Sequence, residues 1–392
     1  MKILYYSAHP TLSLHAQTGP GTHMREIINA MRELGHEVHP VVMADRIGIA
    51  SSPTLPSRKN RLKTVLKKAV PSIIWRSLKE FRLMQFDKKA KAILTYEIDT
   101  FKPDLVYERA AYLQLSGLQA AKEKKCLHYM EINAPFMDEV RKFEKVPTLW
   151  KYKARASEYM QANYPDKVYV VSSVLKEYYM QYLNGKDKIR VVPNCVNMRK
   201  AVPNPALKAS LIETYKLEGK IIIGFVGSIF PYHGVDLLIK AFTSTAREKP
   251  NAVLMIVGDG EIIPELKALS RELDLEDRII FTGSVSNEDV FSYIDLMDIA
   301  VMVKSNWYGS PVKIFEYGAM NKPIIAPLTA PVLDVMEKDV DAILTTPDEH
   351  SIAKAMNSLV SDKRLRTLIA RAFHRKVSEQ YTWKHAAQMI LS

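Results

Sequence analysis

The stretch Ile221-Ile-Ile-Gly-Phe-Val-Gly-Ser228, continued by Ile229-Phe-Pro-Tyr-His233-Gly234 and Val235-Asp-Leu-Leu-Ile-Lys-Ala-Phe242, decides the fold of this chain. A β-branched apolar run ends in glycine and passes through a small-residue loop into an apolar pattern of helical period. That is a buried strand, a loop and a helix N-terminus, the layout in which backbone amides approach a phosphate closely.

Ser310-Pro-Val-Lys-Ile-Phe-Glu316 places related chemistry on a second helix start. Ser310 is an expected N-cap and Pro311 suits the first helical position, so free N–H groups and the positive end of the helix dipole face any ligand there. Lys313 adds a positive charge in the first turn. Glu316, three residues on, shares its face and presents two carboxylate oxygens to neighbouring hydroxyls. A diphosphate flanked by a ribose fits both. An ordinary capped helix with a surface Lys and Glu is the other reading of these seven residues alone.

Working outward, strands near 2–7, 38–43, 104–107, 126–131, 168–171 and 189–192 alternate with helices, and a second series follows near 221–226, 253–257, 279–281, 299–303 and 323–326. Such alternation argues α/β architecture, parallel sheets covered by helices on both faces. Pro193, Pro203 and Pro205 mark the linker. The 392 residues suit two domains of ordinary size: 1–197, including a basic helical excursion at 58–91, then 198–375, and a segment 376–392 in which Tyr381 and Trp383 are candidate anchors. In open sheets of this kind ligands lie beyond the carboxyl ends of the strands.

Only Cys126 and Cys195 occur, which argues against a disulfide framework or zinc site and for a reducing compartment. The apolar run at the N-terminus stops at Ala8-His9-Pro10, too short for a secretory h-region, and no run approaches the roughly 20 apolar residues of a membrane span. A cytoplasmic location follows as an expectation, with attachment to a surface at most. Most of the net charge of +12 sits between Arg58 and Lys91, where 12 Lys or Arg oppose only Glu80 and Asp87, a local net of +10. Leu62, Val65, Leu66, Ala69 and, beyond Pro71, Ile74, Leu78 and Phe81 recur at helical spacing, so the segment reads either as basic amphipathic helices for an anionic membrane interface or as a solvated basic face. No aromatic-rich β motif or recognition-helix pattern accompanies the charge, which argues against nucleic acid.

In the first half, Thr18-Gly19-Pro20-Gly21-Thr22-His23 follows the first strand. As a dinucleotide fingerprint it fails, because Met24 holds the third glycine position, and a plain turn is the default reading. Asp45 keeps a nicotinamide-dependent dehydrogenase open as a distant rival. The run Leu127-His128-Tyr129-Met130-Glu131-Ile132-Asn133 ends a buried strand with polar side chains. Alternation puts His128 on one face and Glu131 on the other, with Asn133 at the strand's mouth. A buried Glu is rare unless paired or functional, and Arg109, at the end of the preceding strand, is its candidate partner. Asp339-Val-Asp341 resembles a metal-binding Asp pair but falls in a turn beside a final strand, and metal ligation is not expected there.

With Val192-Pro-Asn-Cys-Val-Asn197, Ile256-Val-Gly-Asp-Gly260 and Phe281-Thr-Gly283 in order between these units, the chain resembles the retaining glycosyltransferases of GT-B fold, family 4, over nearly its whole length. The resemblance implies two Rossmann-like domains facing across a cleft, with the C-terminal helix crossing back to the first. It implies transfer of a sugar from a nucleotide diphosphate sugar, a UDP- or GDP-sugar, to a hydroxyl acceptor with retention, by front-face attack in which the leaving phosphate helps take the acceptor proton. No cofactor or metal is implied beyond the co-substrate. The second domain would hold the donor through Ser228, His233, Gly234, Val285, Ser310, Lys313 and Glu316, with Gly19 and Gly21 over the diphosphate. The first would present Glu131, Asn133, His128 and Arg109 to the acceptor and the donor sugar.

Two departures qualify the match. The family's basic pair around the diphosphate is Ser228 and His233 here, and the first glutamate of its pair, eight positions before Glu316, is Tyr308. Glu316 keeps the ribose role, while Asn306, Ser310 or backbone groups would stand in near the sugar. A sugar-nucleotide epimerase, a phosphorylase and a non-catalytic sugar-nucleotide-binding protein of the same fold remain alternatives. The acceptor would be a cell-envelope glycan, a glycolipid or a small hydroxyl compound.

Overall fold

A computed structural model of the chain describes residues 1–16, 18–47, 71–144, 146–185 and 187–392. The expected basic positions Arg58, Lys59, Arg61, Lys63, Lys67 and Lys68, with their apolar companions Leu62, Val65, Leu66 and Ala69, lie outside the described residues. The chain divides into two compact units, Met1–Val192 with Ala387–Ser392, and Pro193–Ala386. Each is a parallel sheet wrapped in helices, so the fold is the expected pair of Rossmann-like α/β units.

The first unit pairs β1 (Lys2–Ser7), β2 (Glu37–Val42), β3 (Leu105–Arg109), β4 (Leu127–Ile132), β5 (Lys167–Val170) and β6 (Ile189–Val191) in the order β2-β1-β3-β4-β5-β6. The register sets Arg109 directly beside Glu131. The second unit orders β7 (Ile221–Val226), β8 (Ala252–Val257), β9 (Ile279–Gly283), β10 (Ile299–Val301), β11 (Ile324–Pro327) and β12 (Ile343–Thr345) as β12-β11-β10-β7-β8-β9. Its central strands are buried on both faces, which is why they read as continuous apolar runs. The chain leaves β7 toward β8 on one side and returns to β10 on the other, so the switch point lies at the carboxyl ends of β7 and β10. The loops 227–234 and 302–311 emerge there.

Three local expectations need correction. The first helix (Gly19–Glu33) starts inside the 18–23 segment read as a plain turn, because Thr18 is extended and caps it, its hydroxyl accepting from the Gly21 N–H at 3.4 Å. Ser310 is not the cap of the later helix, which runs Val312–Ala319 with Pro311 as its N-cap. The Ser310 hydroxyl instead accepts from the Asn194 N–H at 3.0 Å, a partner 116 residues away. Tyr381 does not anchor the chain's return, since its ring packs on Phe315 of the second unit, 5.3 Å between centroids. The final helix, Trp383–Leu391, ends in the first unit, where Tyr169 donates its hydroxyl to the Ile390 carbonyl at 2.7 Å.

The helix Ser72–Phe101 begins directly after Pro71, but its first half turns the expected apolar face outward. Arg76, Glu80 and Asp87 point inward: Arg76 Nε donates to Glu80 at 3.1 Å, and Asp87 accepts the Leu115 and Ser116 amides at 2.8 and 3.2 Å. Ile74, Leu78 and Phe81 are left exposed.

Candidate functional site

In the second unit the chain turns off β7 at Gly227 with φ 137°, a conformation that favours glycine. The Gly227 N–H donates to the Val257 carbonyl at 3.0 Å and that of Ile229 to the Asp259 carbonyl at 2.9 Å. Side chains at Gly258 or Gly260 would strike the backbone of this loop, since an added Cβ would lie 2.1 Å from the Gly227 oxygen or 1.9 Å from the Ile229 oxygen. The Ile256–Gly260 motif is thus a seat for the 227–234 loop. After a short turn, Pro231–His233, Gly234 takes φ 68° and opens the helix Val235–Glu248 with no side-chain cap, leaving its first N–H groups uncapped.

The helix Val312–Ala319 is fastened to the same strand, the Val226 N–H donating to the Tyr317 hydroxyl at 2.9 Å. That anchor brings the Lys313 ammonium to 4.0 Å from the Phe225 ring centroid and against Gly227, where a Cβ would meet Nζ at 2.9 Å. Nζ is fully covered and has no hydrogen-bond partner. Burial, offset in part by Glu316, lowers its pKa to about 8, while burial, offset in part by Lys313, raises Glu316 to about 7. His233 stacks beside Tyr232, 4.4 Å between centroids, and its Nδ1 is buried without a partner. Burial first, then the Lys313 charge, depress its pKa to about 4, so the imidazole is neutral near pH 7. A buried ammonium with no acceptor is costly, and an anion bound there would offset that cost.

Of the remaining donor-side expectations, Gly234 lies at the helix start, and Ser228 directly follows Gly227 in the same loop. Val285 is half-buried beyond Gly283 and packs on the core, and nothing connects it to Lys313. Tyr308, at the missing glutamate's position, is buried with its ring edge-on to Trp307 at 5.4 Å. Sequence reasoning passed over Lys304, whose stem packs over Gly234.

In the first unit Glu131 is the hub of a saturated network. It pairs with Arg109, accepts from Tyr107 at 2.7 Å and Asn133, and meets His23 Nε2 at 3.1 Å. Burial alone would raise its pKa, but His23 and Arg109 hold the carboxyl well below the usual carboxylate range. His128 is not brought there. As alternation requires, it lies on the opposite face, paired with Glu108 at 2.8 Å. Gly19 has open space around its Cα, whereas a Cβ on Gly21 would come to 2.3 Å from the Ala16 carbonyl, so only Gly19 is free for ligand approach. His23 was not foreseen. Its only signal was its place on the buried stripe of the first helix with Ile27 and Ala30, where a histidine needs a partner.

Asp341 is structural. Its carboxylate accepts from the Glu337 N–H at 2.9 Å and Lys376 Nζ at 2.8 Å. Among the described residues no three His, Cys, Asp or Glu gather as metal ligands.

Residues 18–200 match the profile of Glycosyltransferase Family 4 and residues 210–375 that of Glycosyl transferases group 1. The chain is 24% identical to an uncharacterized glycosyltransferase of Methanocaldococcus jannaschii over 59% of its length and 60% of the relative's. It is 30% identical to the alpha-D-kanosaminyltransferase of Streptomyces kanamyceticus over 42% of its length and 43% of that enzyme. A GDP-mannose-dependent alpha-(1-6)-phosphatidylinositol monomannoside mannosyltransferase of Mycobacterium tuberculosis matches at 24% over 57% and 60%. The matches thus span about half of these curated relatives. The crystal structure of Anabaena HepE in complex with UDP superposes with a TM-score of 0.73 at 17% identity, covering 100% of this chain and 98% of that one, which is agreement in fold. With both halves matched in order and the architecture shared, the chain belongs to the family 4, group 1 glycosyltransferases.

Proposed function

We propose that the protein transfers a sugar from a nucleoside diphosphate sugar to a hydroxyl acceptor with retention of configuration, the second unit holding the donor and the first the acceptor. The observation that carries this reading is the covered, partnerless Lys313 ammonium beside Gly227 and the neutral His233, with Glu316 one helical step away. Lys313 and the uncapped amides of the helix Val235–Glu248 take up the charge that develops on the departing diphosphate, without a metal. His233 donates a hydrogen bond to it, and Glu316 receives the ribose hydroxyls. The bond from the anomeric carbon to the phosphate oxygen breaks as the acceptor oxygen bonds to that carbon on the same face, and the acceptor proton passes to the leaving phosphate. Glu131, fully occupied by its partners, is a positioning residue that holds Arg109 and Asn133 at the acceptor side, and His128 has no part. UDP is bound by the similar HepE and GDP-mannose is the donor named for the mycobacterial relative, so UDP-glucose and GDP-mannose are the first donors to assay. Release of UDP or GDP that depends on acceptor and persists in excess EDTA supports transfer. Epimerised donor without nucleotide release, or binding without turnover, would install the alternatives.

A second element concerns location. The exposed Ile74, Leu78 and Phe81 adjoin Trp150, whose ring stacks on Phe81 at 6.3 Å and whose indole N–H donates to the Ser77 carbonyl at 2.9 Å. Leu149 and Tyr152 beside it are 67% and 87% exposed, and Lys79, Arg82, Lys151 and Lys153 are exposed among them. This apolar and basic face suits reversible docking on the anionic inner face of a membrane, and a glycolipid or cell-envelope acceptor. Co-sedimentation with anionic vesicles, lost at high salt and on changing Lys79 and Arg82 to Glu, is expected. Indifference to lipid charge would favour a soluble acceptor.

A further inference from the structure

Lys313 places one positive charge at the Gly227 end of the 227–234 loop, beside Phe225. We propose that Lys304 places a second at the Gly234 end, as a direct ligand of the donor diphosphate. This rests on the donor reading above and adds a residue to it.

Lys304 comes from a different connection. It lies three residues beyond β10, and β10 pairs with β7 through Ile299 beside Ile223 and Ala300 beside Gly224. That pairing carries Lys304 to the carboxyl end of β7, where the 227–234 loop begins. Its stem lies against Gly234, so that a Cβ there would come to 3.0 Å from Lys304 Cδ and 3.1 Å from Cγ. Gly234 therefore serves two needs, a φ of 68° and room for the lysine stem. Lys304 is half-buried and, among the described residues, has no ion-pair or hydrogen-bond partner. The nearby Asp236, in the first turn of the helix, is exposed and does not pair with it.

Two lysines thus bracket one glycine-rich loop. Lys313 is covered and fixed by Phe225 and Gly227, and Lys304 has its stem fixed and its ammonium free. A single phosphate offers its charge to one end of the loop, whereas a diphosphate offers a second phosphate to the other lysine. The pair therefore selects nucleoside diphosphates over monophosphates.

Calorimetric titration with UDP, GDP, UMP and GMP of the wild type and of Lys304→Met and Lys304→Arg tests this. Loss of one charge-assisted bond predicts that Lys304→Met weakens the tighter-binding diphosphate about ten- to hundredfold. The matching monophosphate should weaken by less than about threefold, and Lys304→Arg should retain the preference. Unaltered diphosphate affinity in Lys304→Met, with Lys313→Met losing it, would overturn the proposal while keeping the donor site. Equal loss of mono- and diphosphate would also overturn it, as a general disturbance of the loop. A wild type that binds neither diphosphate would remove the donor reading and this residue's role together. Should Lys304→Met fold poorly, the diphosphate preference of Lys304→Gln gives the same readings.

Discussion

The two units each bury an acid–base cluster at the carboxyl ends of their strands, and the clusters are opposite in kind. Around Glu131 every partner is present: Arg109, His23, Tyr107 and Asn133 converge on one carboxylate and hold its pKa down. Around Lys313 partners are missing: the ammonium has no acceptor, His233 Nδ1 has no donor or acceptor, and Glu316 is pushed up to about 7. The first cluster is complete without a ligand and stabilises the fold. The second keeps a buried ammonium without an acceptor, a cost that a bound anion would offset.

The largest effect should come from damaging the complete cluster. Arg109→Met strands the Glu131 charge and should cost about 3–5 kcal/mol of stability, read from urea unfolding. A loss below about 1 kcal/mol would mean that the network is not structural. In the incomplete cluster substitution should act on turnover instead. Lys313→Ala and His233→Ala should each lower kcat/KM by about a hundredfold, as loss of one charge-stabilising donor does, with unfolding midpoints kept or raised. Equal weakening of acceptor binding would move these residues out of the donor site. Glu316→Ala should reduce donor affinity about tenfold or more through lost charge-assisted bonds to the ribose. Calorimetry that finds the affinity intact would remove Glu316 from the site.

A further effect is on pH. Because the Glu316 pKa is raised in the folded state, its protonated form stabilises the free protein. That contribution is complete below the ordinary carboxylate range and is lost as pH rises through about 7. The loss should be about 3 kcal/mol between pH 4.5 and 8, visible as a difference between the unfolding midpoints of the wild type and Glu316→Gln that changes across this range. Parallel pH profiles would refute the shift.

The strands and the β7 loop were legible because parallel strands buried on both faces must read as unbroken apolar runs, and 221–226 does. The pairing of Arg109 with Glu131 was within reach, since both end adjacent strands. What escaped depends on contacts distant in sequence. Ser310 reads as a cap until Asn194 claims its hydroxyl. The inward turn of Arg76, Glu80 and Asp87 depends on partners such as the amides of Leu115 and Ser116. Lys304 means nothing until β10 is known to lie beside β7. Local propensity fixes elements, whereas strand order decides which distant residues meet at the strand ends.

The most direct test of the difference between the clusters is the proton balance of nucleotide binding. Titrating the protein with UDP and with GDP at pH 8, in buffers of different ionisation enthalpy, counts protons exchanged. Lys313 sits near half-protonation there and would become fully charged against a diphosphate, so uptake of about half a proton is expected for the nucleotide that binds, and it should vanish in Lys313→Met. Binding with no proton uptake, or uptake that survives that substitution, would contradict the assignment of this cluster as the diphosphate site.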